Sequence, residues 1–145
     1  MLIVDGDLQD MGRLNNVLID TNVLIYMYEN KKDIFDYVTV LIPDPKFFIL
    51  DKVFDELSKV YKAKPNKFLG IKRYLEKLKE INKFEIIEVG EDVLSLSVKF
   101  TKIDNLLIYY SNKYLVYTND KILKDKIKKK GNRVLTLKNN GVLLI

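Results

Sequence analysis

The stretch Asn16-Val17-Leu18-Ile19-Asp20-Thr21-Asn22-Val23-Leu24-Ile25-Tyr26 decides the fold. Its apolar run, Val17 to Ile19, is bounded by polar residues and stops on an aspartate; two more small polar residues, Thr21 and Asn22, follow before apolar residues resume. A short continuous apolar run of this kind reads as a strand buried on both faces, and the second run as a helix with Asp20, Thr21 or Asn22 as its N-cap. In an open α/β sheet, the turn after a strand's carboxyl end is where ligands and catalytic groups collect. Asp20 is therefore either a plain helix cap or a carboxylate presented to a crevice, and the rest of the chain has to decide.

Working outward, the same logic recurs. Phe47-Phe48-Ile49-Leu50 is a second short buried strand, and Val53, Phe54, Leu57, Val60 and Tyr61 after it fall at helical spacing. Glu56 sits one turn into that helix, near the mouth of the strand–helix turn; on its own it would read as a solvent-facing carboxylate. Phe68, Ile71, Leu75, Leu78 and Ile81 repeat every three or four residues, which predicts a long amphipathic helix. Phe84 to Val89 has strand composition, and Val93 to Phe100 suggests a short helix. Thr101 to Tyr110 looks like a cap and a helix, with Asp104 at its start. Tyr114-Leu115-Val116-Tyr117 is a strand ending in Thr118-Asn119-Asp120, and the helix Lys121 to Lys130 follows, stopped by Gly131 as its C′ residue. Val134 to Leu137 is a final strand, and Asn139-Asn140-Gly141 is a turn signal after which Val142 to Ile145 can pair back as a hairpin. A helix from about Asp33 to Thr39, with a strand before Pro43, fills the gap between the first two strands. Residues 1–15, with Leu2-Ile3-Val4 as a candidate edge strand, form a lead-in to what reads as one domain over 1–145. Strands alternating with helices predict an α/β fold with a central, mainly parallel sheet and helices on both faces.

Composition narrows the chemistry. The 145 residues contain no cysteine and no histidine, which excludes disulfides, thiolate catalysis, a Ser-His-Asp triad and His- or Cys-ligated zinc. Hydrolytic chemistry would have to run on carboxylates, lysines or a metal held by oxygen, which means Mg²⁺, Mn²⁺ or Ca²⁺. No apolar run reaches the ~18 residues of a membrane span, so the expected location is the cytoplasm, with no membrane partner. The net charge of +5 is unevenly spread. Leu57–Lys83 holds nine Lys/Arg against two acids, and Lys121–Ile145 holds eight against one, so the remainder is acidic. Segregated acids and bases suit a protein that holds a cation and meets a polyanion, although Lys-rich solvated helix faces give the same count.

Asp20 and Asp120 end apolar strands, Glu56 begins the helix after another, and Asp104 opens the helix before the Asp120 strand. Strand ends at one edge of a parallel sheet share a crevice, so these acids can converge. Carboxylates packed together need a proton or a cation to neutralise them. A divalent ion is the natural partner, and such ions support phosphodiester hydrolysis.

Ile19-Asp20-Thr21-Asn22, Val53-Phe54-Asp55-Glu56-Leu57, Asp104 and Thr118-Asn119-Asp120-Lys121, in that order, resemble the acidic motifs of PIN-domain ribonucleases. The likeness runs over roughly Asn16 to Leu137. It implies a three-layer α/β/α sandwich and a Mg²⁺- or Mn²⁺-dependent endoribonuclease acting on single-stranded RNA, in RNA processing or as a toxin. By the resemblance, Asp20, Glu56, Asp104 and Asp120 would form the catalytic metal cluster, with Asn22 and Thr118 supporting it by hydrogen bonds. Lys121, Lys124 and Lys128 on the C-terminal helix, and Lys72 and Arg73 on the long one, are the candidate RNA contacts, and Tyr61, Phe68, Tyr74 and Tyr114 the aromatic candidates for base stacking. An antitoxin, a ribosome-processing partner and a homodimer are the protein partners the resemblance implies. Three features depart from the family pattern, one being that the stretch around Tyr109-Tyr110 lacks the small residues often seen in that helix. Asp104 is followed by Asn105 where an acidic pair is common, and the segment from Asp104 to Asp120 is short. Asp51 and Asp55 are alternatives to Glu56. The competing reading is a catalytically degenerate PIN-like module that binds RNA or a protein. A phosphoacceptor aspartate, as in receiver domains, is disfavoured because the acids lie on the wrong turns.

Overall fold

The computed structural model describes residues 15–145. The expected lead-in, with its candidate strand Leu2-Ile3-Val4, lies outside them apart from Asn15. Among the described residues six strands form one sheet: β1 (Asn16–Ile19), β2 (Lys46–Leu50), β3 (Glu85–Ile87), β4 (Leu115–Tyr117), β5 (Val134–Lys138) and β6 (Gly141–Leu144). Their order is β3-β2-β1-β4-β5-β6, parallel throughout except for the antiparallel β5–β6 hairpin. Val17, Leu18 and Ile19 are wholly buried, as a central strand covered on both faces must be. Each such side chain contributes roughly 1.5–3 kcal/mol.

The helices are α1 (Thr21–Asn30), α2 (Ile34–Leu41), α3 (Val53–Val60), α4 (Pro65–Glu80), α5 (Glu91–Leu94), α6 (Ile103–Tyr110) and α7 (Lys121–Lys129), with a 3-10 turn at Val98–Thr101. α1 packs against α2, α3 and α4, while α6 packs against α7 and the 3-10 turn. The sheet lies between these two groups, which gives the three-layer α/β/α sandwich. Tyr117, fully buried, ties sheet to helix by donating its hydroxyl to the Ile34 carbonyl at 3.3 Å.

Local sequence explains most boundaries. Asp20 is the cap of α1, accepting from Thr21 N–H, and Asp33 caps α2 through Phe35 and Asp36 N–H. Pro65 starts α4, where its missing N–H is no loss. Gly131, with φ of 84°, follows the C-cap of α7 as expected.

Three expectations are corrected. The strand before Pro43 does not form; α2 continues to Leu41, because Val38 and Ile42 are buried at a helical spacing of four. The single helix over Val93 to Phe100 is split into α5 and the 3-10 turn. The Ser95 hydroxyl donates to the Asp92 carbonyl and the Ser97 hydroxyl accepts from Lys99 N–H, local bonds that compete with a continuous helix. Thr101 closes that turn and does not cap α6, whose N-cap position is Lys102. The short segment after Asp104 nevertheless accommodates the two turns of α6.

Candidate active site

Chain direction reverses at the β1–β4 boundary: the path leaves β1 toward β2 and β3, then returns to β4 and continues to β5. This is a topological switch point, the place where an open α/β sheet leaves a crevice at its carboxyl edge. Ile19 pairs with Tyr117 there, so Asp20 and Thr118 follow side by side, and Asp20 N–H donates to the Tyr117 carbonyl at 2.9 Å.

Asp20 is buried. Its Oδ1 accepts from Thr21 N–H at 2.7 Å and its Oδ2 from the Thr118 hydroxyl at 2.6 Å. Thr118 Oγ1 in turn accepts from Asp120 N–H at 3.1 Å, so one hydroxyl links the two acids. Asp120 caps α7 through Leu123 N–H at 3.0 Å. Asn22 accepts from Asn119 N–H at 3.4 Å, joining the first turn of α1 to the end of β4. The roles given to Asn22 and Thr118 by the family likeness thus have a counterpart in hydrogen bonds.

Burial pushes the Asp20 carboxyl up to about 6. The bonds from Thr118 and Thr21 pull it down, and the negative charges of Asp104 and Asp120 push it further up. Asp104 is also raised, first by loss of solvent around its carboxyl and then by Asp120, with Lys126 and Lys102 opposing. The charges of Asp104 and Asp120 therefore both bear on Asp20, and that of Asp120 bears on Asp104 as well.

Glu56 stands apart from this trio. It is half-buried on α3 and lines a depression bounded by Phe100 and Ile103, the neighbour of Asp104. It is not among the charges that shift Asp20 or Asp104. Of the alternatives, Asp51 accepts from Val89 N–H at 3.3 Å and so ties β2 to the end of β3, while Asp55 is exposed on the rim of the same depression.

The donors suit a hard cation, since all are oxygens. A further oxygen lies beside Asp20: Thr21 Oγ1 is buried and without a hydrogen-bond partner among the described residues. Such an orphan costs about 1–3 kcal/mol. Among the described residues, no three carboxylates stand close enough together to hold one ion.

The basic candidates separate. Lys121 and Lys128 are exposed on α7, the helix that begins at Asp120. Lys124 is half-buried and donates to Thr136 Oγ1 at 3.2 Å, which commits it to β5. Lys72 and Arg73 are exposed on α4, in the opposite layer. Of the stacking candidates, Tyr61 is in the core with its hydroxyl on Glu29 at 2.8 Å, and Tyr114 packs edge-on to Phe48 and Tyr110. Sequence reasoning missed Lys126, which acts on Asp104, and Asn119, whose Oδ1 accepts from Leu137 N–H at 3.0 Å and Thr136 Oγ1 at 3.3 Å. The spacing of Lys126 one turn before Lys130, which reaches the α6 carbonyl of Ile108, was the available signal for the first.

Among the described residues no helix is long and apolar enough to cross a membrane. Known proteins share this architecture. The PIN domain model matches residues 17–120. Ribonuclease VapC9 of Archaeoglobus fulgidus is 34% identical over 134 residues, 89% of this chain and 90% of its own length. The PIN domain endonuclease Utp24 superposes with a TM-score of 0.64 at 26% identity, over 92% of this chain and 93% of that one. A domain of a functionally unknown protein from Methanocaldococcus jannaschii, 20% identical, shares the fold with a TM-score of 0.52 over 86% of this chain and 92% of that one. With the acidic motifs in order, the switch-point crevice in place and the family model spanning both ends of that crevice, the chain belongs to the PIN domain family.

Proposed function

We propose that this chain is an endoribonuclease that hydrolyses phosphodiester bonds of single-stranded RNA with the help of Mg²⁺ or Mn²⁺. The observation that carries this reading is the buried carboxylate of Asp20 at the switch point, tied through the Thr118 hydroxyl to the backbone of Asp120, with the charges of Asp104 and Asp120 bearing on it. Burying like charges together is costly, and a divalent cation removes the cost. Asp20, Asp104 and Asp120, with Glu56 from across the adjoining depression, are the residues that would hold it. When bound, the ion supplies charge neutralisation and Lewis acidity to the phosphodiester. Thr118 and Asn22 keep the crevice in register by joining α1 to the end of β4. Lys121 and Lys128 meet the RNA backbone beside the crevice, and Lys72 and Arg73 serve a strand that passes over the carboxyl edge to the other layer. An antitoxin or ribosome-processing partner, homodimerisation and a cytoplasmic location belong to the same reading, supported by the kinship with a ribonuclease and an endonuclease.

The test is incubation of labelled single-stranded RNA with the protein and its Asp20→Asn variant, with and without each ion. Cleavage that needs the ion and vanishes in the variant is the expected result. The absence of a preformed three-carboxylate group favours a second reading, a module that binds RNA or a protein without cutting. RNA bound but intact with both proteins would establish that reading.

A further inference from the structure

Beside the crevice lies a pocket of about 280 Å³ between α3 and the α5–α6 segment. Leu94, Phe100 and Ile103 form its apolar wall, and Lys52 at the N-cap of α3 with Asp55, Glu56 and Lys59 on that helix form its polar side. The wall is held in place before any ligand arrives. Ser97 accepts from Lys99 N–H at 3.2 Å, the Thr101 hydroxyl donates to the Val98 carbonyl at 3.0 Å, and Asn105 Nδ2 donates to the Lys99 carbonyl at 2.9 Å. These bonds fix the turn that carries Phe100, whose ring also packs edge-on to Tyr109 at 5.2 Å.

We propose that this pocket is the subsite for one nucleobase of the RNA, that of a nucleotide flanking the scissile phosphodiester. The proposal rests on the nuclease reading above and extends it to how the strand is held. Three features identify the occupant. The pocket takes its lining from the neighbourhood of the proposed site: Glu56, one of the acids that would hold the ion, lines it, as does Ile103, the chain neighbour of Asp104. Its volume falls just below the roughly 300 Å³ at which pockets for drug-sized ligands begin, which suits a single planar base. The lining combines the Phe100 ring, a stacking surface, with Lys52 and Lys59, which balance Asp55 and Glu56 and can meet the adjoining phosphate once an ion occupies the acids. A larger cavity of about 420 Å³, beside Tyr28 and Lys31, lies at the far end of α1 from Asp20 and is lined by none of the acids that would hold the ion.

The experiment measures binding by fluorescence anisotropy with a series of oligoribonucleotides, each abasic at one position. It uses the Asp20→Asn background with Mg²⁺ present, so that no substrate is consumed. One abasic position is expected to weaken binding at least about fivefold, the usual effect of losing one stacked base. In Phe100→Ala the intact strand should bind that much more weakly and the abasic penalty should disappear, while Phe100→Tyr retains it. Leu94→Trp, which fills the pocket without removing the ring's support, should also erase the penalty, so the test survives a misfolded Phe100→Ala. A penalty of equal size in all variants, or none at any position, overturns the subsite. Failure of the wild-type protein to cut the intact strand would overturn the nuclease reading instead, while the abasic comparison would still decide whether the pocket takes a base.

Discussion

The hydroxyl of Thr118 donates to Oδ2 of Asp20 across 2.6 Å, joining residues 98 positions apart in the chain. The same oxygen accepts from Asp120 N–H, so the ends of β1 and β4 are locked together at the switch point of the sheet. A threonine here does two things that an apolar residue of equal shape cannot.

Thr118→Val tests this. The change keeps the volume but leaves a buried carboxylate oxygen and a backbone N–H without their partner. Bonds to charged groups are worth about 1.5–3 kcal/mol, so denaturant unfolding at pH 7 should show a loss of roughly that size. Removing the donor also removes a bond that holds the Asp20 carboxyl down, so its titration should move above about 6. Thr118→Ser should restore both. An unchanged titration in the valine variant would mean the bond does not act on Asp20.

The raised Asp20 carboxyl makes metal-free stability depend on pH with a definite sign. Folding lifts it from 3.8 to about 6, so the folded state holds the proton more tightly than the unfolded chain. Its contribution is fully present below about pH 4 and is lost as pH rises through about 6. At ~1.4 kcal/mol per pKa unit, the loss is roughly 3 kcal/mol. Asp20→Asn should lack this slope and, without metal, melt higher than wild type at pH 7.5. Mg²⁺ or Mn²⁺ should raise the wild-type melting temperature at that pH and not that of the variant. Parallel pH profiles for the two proteins would refute the assignment.

Asp104 and Glu56 should differ. Asp104 acts on Asp20 through space, so Asp104→Asn should lower the Asp20 titration; Glu56→Gln should leave it in place. In the cleavage assay both should cost at least about 100-fold, more than outer residues around a metal usually do. A carboxyl-detected NMR titration of Asp20 in the two variants separates them, and equal shifts would remove the distinction.

What could be read in the chain was what is local. Asp20 and Asp33 as caps and Gly131 as terminator follow from residues within one turn of their helices. The hairpin turn was equally legible, since Asn139 and Asn140 tolerate the positive φ of 47° and 60° that a two-residue turn demands. The order of acidic motifs located the crevice because strand ends of a parallel sheet share an edge. Hidden were the features set by how layers sit on one another. Tyr61 lies on an apolar stripe either way, and only the packed fold sends its hydroxyl to Glu29 and away from RNA. The pocket beside Glu56 needs α3 and the 3-10 turn to face each other across the edge of the sheet, a relation with no signature in either segment. Even the short helix over Val93 to Phe100 failed on two serines whose hydroxyls found nearer partners than the pattern of apolar residues implied.

Gly70 offers a test of packing away from the crevice. It sits in the middle of α4, where glycine is about 1 kcal/mol worse than alanine, so propensity alone favours Gly70→Ala. A Cβ at this position would come 2.2 Å from Tyr28 Oη, far inside contact distance. The tyrosine cannot yield freely, because its ring packs on Tyr74 at 5.7 Å and against the core. Overpacking of this kind costs about 1–3 kcal/mol, which exceeds the propensity gain. Gly70→Ala should therefore lower the melting temperature, and the double variant Gly70→Ala with Tyr28→Phe, which removes the clashing oxygen, should recover most of the loss. A melting temperature raised by the single change would show that α4 shifts away from α1 at little cost, and the close approach of the two helices would then not depend on the glycine.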